Sequence, residues 1–194
     1  MNNRDAVLAV VGLCGVGKSE VTRLVSDKFG YSVVYFGGQI TTEVARRGLT
    51  AGPDSERMVR EELRQTFGMD AIARLAESQI RKELSKGNRV AIDGIYSFAE
   101  VTYLRKVFDN QILLIAVHSQ KCLRYNRMAD RPVRPLSQAQ VDERDLREIE
   151  ALDKATPIAL ADYHIVNDGS FSDLSADVNQ AVLCLAPSIF SIAS

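Results

Sequence analysis

The chain has 194 residues, enough for one domain with a sizeable core, and its 46% hydrophobic and 25% charged residues are ordinary for a globular protein. A formal net charge of −1 gives no global basic field to hold nucleic acid, so any local arginine cluster is expected to serve a small anion. Cys14, Cys122 and Cys184 are far apart and odd in number, which argues against a metal set or a disulfide framework; no signal-peptide pattern or membrane-length apolar run is visible, so the expectation is a cytoplasmic protein without a membrane partner.

Ala6-Val7-Leu8-Ala9-Val10-Val11 is a continuous apolar run and reads as a strand buried on both faces. Gly12-Leu13-Cys14-Gly15-Val16-Gly17-Lys18-Ser19 follows, then a helix with Val21, Leu24 and Val25 on one face, stopped by Gly30. Tyr31 to Phe36 reads as a second strand, ended by Gly37-Gly38, with a short helix from Gln39 to Arg47 behind it. Pro53 to Phe67 reads as a helix, and Asp70 is placed to cap another reaching Lys86. Arg89 to Gly94 is a short strand ending in an acid, Phe98 to Phe108 a helix, and Gln111 to Val117 a fully buried strand. Lys121 to Asp130 reads as a basic helix interrupted by Pro132 and Pro135, and a charged helix runs from Ser137 to about Leu152. Tyr163 to Asn167 is a last strand and Leu174 to Leu185 a last helix. Strands alternating with helices predict a parallel α/β sheet with right-handed crossovers, without internal repeat or flexible linker.

The stretch from Gly12 to Ser19 fits G-x-x-x-x-G-K-[ST], the phosphate-binding loop, in the strand–loop–helix context that the motif requires. Glycines let backbone N–H groups turn inward around a phosphate, and the following helix presents its positive end to the same anion. Gly12, Cys14, Gly15, Val16, Gly17, Lys18, Ser19 and Glu20 are therefore expected to hold ATP, with Lys18 reaching the β- and γ-phosphates and Ser19 ligating Mg²⁺. Cys14 beside a helix N-terminus favours thiolate, or is simply a small residue that fits.

Asp93 ends a buried strand, where open α/β sheets place their ligand crevice; it is expected to join Ser19 in organising Mg²⁺ or to accept a proton from an acceptor hydroxyl, unless it only makes the turn before Gly94. Arg46 and Arg47 either clamp an acceptor phosphate or end a helix in solvent. Lys121, Arg124, Arg127 and Arg131 fall along one helical side and read as an arginine-rich flap closing over transferring phosphate, with Arg127 and Arg131 the catalytic candidates; the alternative is a solvated face paired with Asp130, Asp142, Glu143 and Asp145. Asn167 and Gly169 follow the last strand, where their backbone reaches a nucleotide base, or Asp168 and Ser170 merely turn and cap the last helix. His118 and His164 are isolated in the sequence and read as structural.

The phosphate loop, Asp93-Gly94, the arginine-rich segment and the tail resemble the nucleoside monophosphate kinase branch of P-loop proteins. Ala161 to Ser170 looks like the corresponding tail of dephospho-CoA kinases, and a longer match is to a mostly archaeal dephospho-CoA-kinase-like group, similar at Gly37 to Gly48, Gly68 to Ala73, Ile92 to Ile95, Ala99 to Val101 and the tail. The resemblance implies a P-loop NTPase three-layer αβα sandwich whose five parallel strands run 2-3-1-4-5. It also implies a core of residues 1–37, 88–118 and 141–194, a helical acceptor-binding insertion at 38–87 and a lid at 119–140. Gln39 and Tyr96 then face the acceptor. The related group usually has an acid where this chain has Gly38 and an arginine where it has Tyr96, and Gly37-Gly38-Gln39 does not reproduce the acidic acceptor motif of dephospho-CoA kinases. The expected activity is ATP-dependent phosphoryl transfer to a small phosphorylated, nucleotide-like acceptor, such as a nucleoside monophosphate or dephospho-CoA-like compound. A nucleotide-binding switch with slow ATPase activity is the competing reading.

Overall fold

The computed structural model describes residues 7–187; Ala6, expected in the first strand, lies outside them. The sheet is five-stranded, wholly parallel and ordered β2-β3-β1-β4-β5, as the resemblance implied. Its strands are β1 (Val7–Val11), β2 (Ser32–Tyr35), β3 (Val90–Asp93), β4 (Ile112–His118) and β5 (Tyr163–Val166). β1 is central and buried throughout, which is why it reads as an unbroken apolar run rather than an alternating one.

Period-two alternation divides these strands between two cores. Val7, Ala9 and Val11 point to one face and pack with Ile92 and Leu114 against α2 (Phe36–Arg46), α3 (Pro53–Phe67), α4 (Ala71–Ser85) and α5 (Phe98–Val107). Leu8 and Val10 point to the other, where α1 (Lys18–Phe29) and α9 (Phe171–Leu185) supply Val21, Val25, Val178 and Val182. α6 (Lys121–Ala129), α7 (Gln138–Leu152) and the short α8 (Ala155–Ala159) lie between β4 and β5 in sequence. No helix among the described residues is long and apolar enough to cross a membrane.

The differences from the sequence reading have local causes. Gly37-Gly38 does not end β2 in a turn: the chain passes from Tyr35 straight into α2. A Cβ on Gly37 would strike the Tyr35 ring, so glycine here lets Tyr35 fold across the first turn of the helix. Asp70 sits at the N-cap of α4 without capping it; its carboxylate takes both bonds from Arg74 instead, at 2.9 and 2.7 Å. α9 begins at Phe171, before the predicted Leu174, because Ser170 and Asp173 form a capping box. The helix α8 was not expected. His118 and His164 are not isolated: their rings stack with centroids 5.2 Å apart, and Nε2 of His118 lies 3.0 Å from Nδ1 of His164.

Candidate nucleotide and acceptor site

Parallel strands end together, so their C-termini bring distant residues to one edge. β1 delivers Gly12 to Lys18, β3 delivers Asp93, and β5 delivers Asn167. Val10 is in register with Asp93, and Tyr35 pairs with Asp93 from the other side. The phosphate loop needs backbone that other residues resist. Gly12 has φ +146°, and a Cβ there would lie 2.5 Å from the carbonyl oxygen of Val117. Gly17 has φ +99°, and its Cβ would meet the amide of Asn167. Asn167 occupies that space because its Nδ2 donates to the carbonyl of Val16 at 2.8 Å.

The Ser19 hydroxyl donates to Asp93 at 3.1 Å. A hydroxyl and a carboxylate beside a phosphate loop are the hard-oxygen donors that Mg²⁺ takes when phosphates complete its shell. Among the described residues no cluster of three or more His, Cys, Asp or Glu could hold a metal ion. Lys18 Nζ donates to the loop's own Leu13 carbonyl at 2.8 Å. Burial first, and then the nearby Lys154 charge, bring its pKa down to about 7. Burial pushes the Asp93 carboxyl up, while Lys18 and Ser19 pull it back. Lys18 is thus a buried cation folded back onto a carbonyl of its own loop. Glu20 turns its side chain to Arg23, at 2.8 Å, leaving only its backbone at the helix start.

The basic helix divides its arginines. Arg124 is buried and points inward, with Nε donating to the Cys14 carbonyl at 2.7 Å and Nη2 to both oxygens of Asp145 at 2.7 and 2.5 Å. It braces the phosphate loop from behind and is not part of a solvated flap. Lys121 pairs with Asp142 at 2.6 Å on the surface. Arg127 is half-buried at the loop's rim, where it donates to the Asn167 carbonyl at 2.9 Å, the Ser119 hydroxyl at 3.1 Å and the Gly15 carbonyl at 3.4 Å. α6 ends at Ala129, so Arg131 falls beyond the helix and is exposed, off the side that helical spacing gave it. Cys14 does not have the environment of a thiolate. It is 5% exposed, and burial pushes its pKa up. Asp168 accepts from the Ser119 hydroxyl and the Gln120 amide, both at 2.8 Å, and does not cap α9. Gly169 precedes that capping box, where a Cβ would press on Asp173.

The acceptor half differs more from the sequence reading. Arg46 and Arg47 are both held by Glu43, at 2.6 and 2.8 Å, and Arg47 also by Glu62 at 2.9 Å. Glu43 is brought to about 2 by those bonds. Gln39 bonds Gln79 at 2.8 Å. Tyr96 is close to the site's charges: burial pushes its phenol up to about 12, and Lys154 Nζ lies 4.8 Å from its ring centre. Lys154, 1% exposed, bonds Glu148 at 2.5 Å, and Arg144 bonds the same carboxylate at 2.8 Å. Burial opposes ionisation of Glu148, but Lys154 and Arg144 outweigh it and hold the carboxyl at about 2. Sequence reading missed Lys154, Glu148 and Arg144, because no periodicity distinguishes them from the solvated charges of α7. It also missed Glu100, although Ser97-Phe98-Ala99-Glu100 carries the capping-box signature that the structure forms.

Residues 11–142 match a family model described as an AAA domain. A UPF0200 protein of Thermococcus onnurineus is 35% identical over 84% of this chain and 88% of its own length. Among solved structures, a gluconokinase from Sinorhizobium meliloti superposes with TM-score 0.59 at 13% identity, covering 98% of each chain. A shikimate kinase from Bacteroides thetaiotaomicron gives TM-score 0.57 at 14% identity, over 93% of this chain and 98% of the other. These likenesses give a P-loop kinase fold; they do not give a dephospho-CoA acceptor. The chain belongs to the archaeal UPF0200 family, built on the P-loop kinase fold.

Proposed function

We propose that the protein is an ATP-dependent small-molecule kinase. The observation that carries this reading is the Ser19–Asp93 contact at 3.1 Å beside Lys18, at the sheet edge where β1 and β3 end. Gly12 to Ser19 would cradle the triphosphate, and Ser19 with Asp93 would hold Mg²⁺. When bound, that ion supplies neutralisation of charge on the β- and γ-phosphates. Lys18 would exchange the Leu13 carbonyl for phosphate oxygens, whose charge favours its protonated form against the burial that disfavours it. Arg127, already anchored to Asn167, orients the loop and stands at its rim, where charge spreads during in-line transfer. The acceptor lies between the α2–α4 insertion and the segment 119–140, facing Tyr96. It is a small compound that accepts on a phosphate or a hydroxyl, nucleoside monophosphates and dephospho-CoA among the candidates. The gluconokinase and shikimate kinase neighbours add small hydroxy acids to the acceptors worth screening. The setting proposed is the cytoplasm, with Cys14, Cys122 and Cys184 all free.

The test is ADP release from MgATP with each acceptor in turn, for wild type, Lys18→Ala and Asp93→Asn. Acceptor-stimulated turnover is expected in wild type. Lys18→Ala should lose turnover and most triphosphate affinity, and Asp93→Asn should lose turnover much more than affinity. A second reading, a nucleotide-dependent switch, follows from Gly38 and Tyr96, an uncharged pair at positions where the resemblance to the dephospho-CoA-kinase-like group implies charged acceptor-facing residues. It is supported instead if ATP binds tightly and no acceptor stimulates ADP release.

A further inference from the structure

Arg64, on α3, has its Nε and Nη2 buried without any hydrogen-bond partner. Burial also pulls its pKa down. A buried donor without a partner is costly, and native structures leave few of them. Arg64 leaves two, on one guanidinium. Glu100, the carboxylate whose charge acts on it most, does not fill the role. Glu100 Oε2 accepts from the backbone of Tyr96 at 2.6 Å and of Ser97 at 3.2 Å, and its Oε1 is itself without a partner.

The identity of the two free nitrogens narrows the ligand. Nε and Nη2 form the side edge of the guanidinium, two parallel donors that match the two oxygens of an oxyanion. This chain uses that edge elsewhere: Arg46 grips Glu43 with it at 2.6 and 2.7 Å, and Arg74 grips Asp70 at 2.9 and 2.7 Å. Among the described residues, Arg64 presents the same edge to no carboxylate. Its surroundings tie it to the acceptor side of the cleft. Glu56, on the same helix, meets Arg134 of the 119–140 segment at 3.2 Å, and Val59 and Leu63 beside Arg64 share a core cluster with Ile95, next to Tyr96.

We propose that the Nε–Nη2 edge of Arg64 anchors an oxyanion, phosphate or carboxylate, carried by the acceptor. This rests on the kinase reading above and deepens it: the acceptor is an anion held at one end by Arg64, with a hydroxyl presented to the phosphate loop at the other. Neutral sugars and alcohols are poor acceptors on this view. Arg46 and Arg47, the sequence's candidates for the same task, are already bound to carboxylates and do not perform it.

The probes are inorganic phosphate and acetate, titrated calorimetrically into protein saturated with Mg²⁺ and a non-hydrolysable ATP analogue, which occupies the phosphate loop. Wild type should bind at least one of the two anions at a single site. Arg64→Met should weaken that binding at least tenfold while leaving analogue affinity within twofold, and Arg46→Met should change neither. Arg64→Lys, which keeps the charge without the paired edge, should recover little; it also serves if the methionine variant melts early. Phosphate binding with acetate indifferent assigns a phosphorylated acceptor, and binding of acetate assigns a carboxylate. The proposal is overturned if neither anion binds the loaded wild type, or if Arg64→Met binds as wild type does. If the analogue itself fails to bind, the kinase reading falls. The same anion titrations on nucleotide-free Lys18→Ala protein, with and without Arg64→Met, then decide Arg64 separately.

Discussion

Replacing Arg124 by methionine separates a structural arginine from a catalytic one. The side chain is 6% exposed and its partner Asp145 12% exposed, so both charges are out of water. Methionine fills much of the same volume but removes both Nη2 bonds to Asp145 and the Nε bond to the Cys14 carbonyl. What remains beside Asp145 is the Cys14 thiol, a weak donor at 3.6 Å. A buried ion pair broken on one side costs roughly 3–5 kcal/mol, because the surviving charge is left unpaired. Against the ~5–15 kcal/mol that holds a domain of this kind, that is about a fifth of the total or more. Urea unfolding followed by circular dichroism reads it as a fall in midpoint at constant m-value. Arg124→Met/Asp145→Leu should recover most of the loss, since no lone charge is then buried. Arg131→Ala, at an exposed position beyond α6, should stay within about 0.5 kcal/mol of wild type. A loss below about 1 kcal/mol for Arg124→Met would refute the reasoning. Arg124 would then be a surface arginine, as the flap reading had it.

Lys18, with its pKa brought to about 7 by burial and Lys154, should bind triphosphate in its charged form. Affinity for the ATP analogue should therefore fall as pH rises from about 7 to 9, by up to ~tenfold per pH unit, with proton uptake seen by calorimetry in buffers of different ionisation enthalpy; a flat profile contradicts this. Glu100 is raised by burial to about 7, above its ordinary 4.5, so its contribution is fully present below pH 4.5 and is lost as pH rises through 7. That difference is worth roughly 3 kcal/mol. Glu100→Gln should gain about that much over wild type between pH 4.5 and 8 in paired urea melts, and parallel curves would exclude it. Cys14, 5% exposed with its thiol pushed up, should react with iodoacetamide far more slowly than Cys122 or Cys184 even without nucleotide, as peptide mass mapping would show; equal rates would mean that the Arg124 brace opens.

The donor half of the site was legible because its determinants are contiguous. Strand, glycine loop and helix occupy one stretch from Val7 to Phe29, and the backbone of Gly12 and Gly17 must adopt values that few other residues take. Asp93 was legible for a related reason: a buried strand that ends in an acid has few reasons to do so, and Ser19 meets it. Strand order was implied by resemblance, since periodicity gives the elements but not their neighbours.

The proposed acceptor half was illegible because no single stretch would encode it. Arg64, Tyr96, Glu100, Arg144, Glu148 and Lys154 come from α3, the loop before α5, α5 itself, α7 and the turn before α8. In sequence, each is a charge or a ring on an amphipathic surface. Only the fold shows that Lys154 is 1% exposed, that Glu148 has two cations, and that Arg64 has buried donors without a partner. The reverse error has the same origin. Arg46 and Arg47, adjacent in the chain, look like a clamp, yet Glu43 one turn earlier takes both. A helix that carries its own i,i+3 and i,i+4 carboxylate satisfies its arginines locally; three and four residues from Arg64 stand Arg60, Glu61, Phe67 and Gly68, of which only Glu61 is acidic. Glu61 is exposed and makes no bond to it among the described residues. Local pairing is thus the signal that distinguishes an arginine held by its own helix from one left for a ligand, and it becomes decisive only once burial is known.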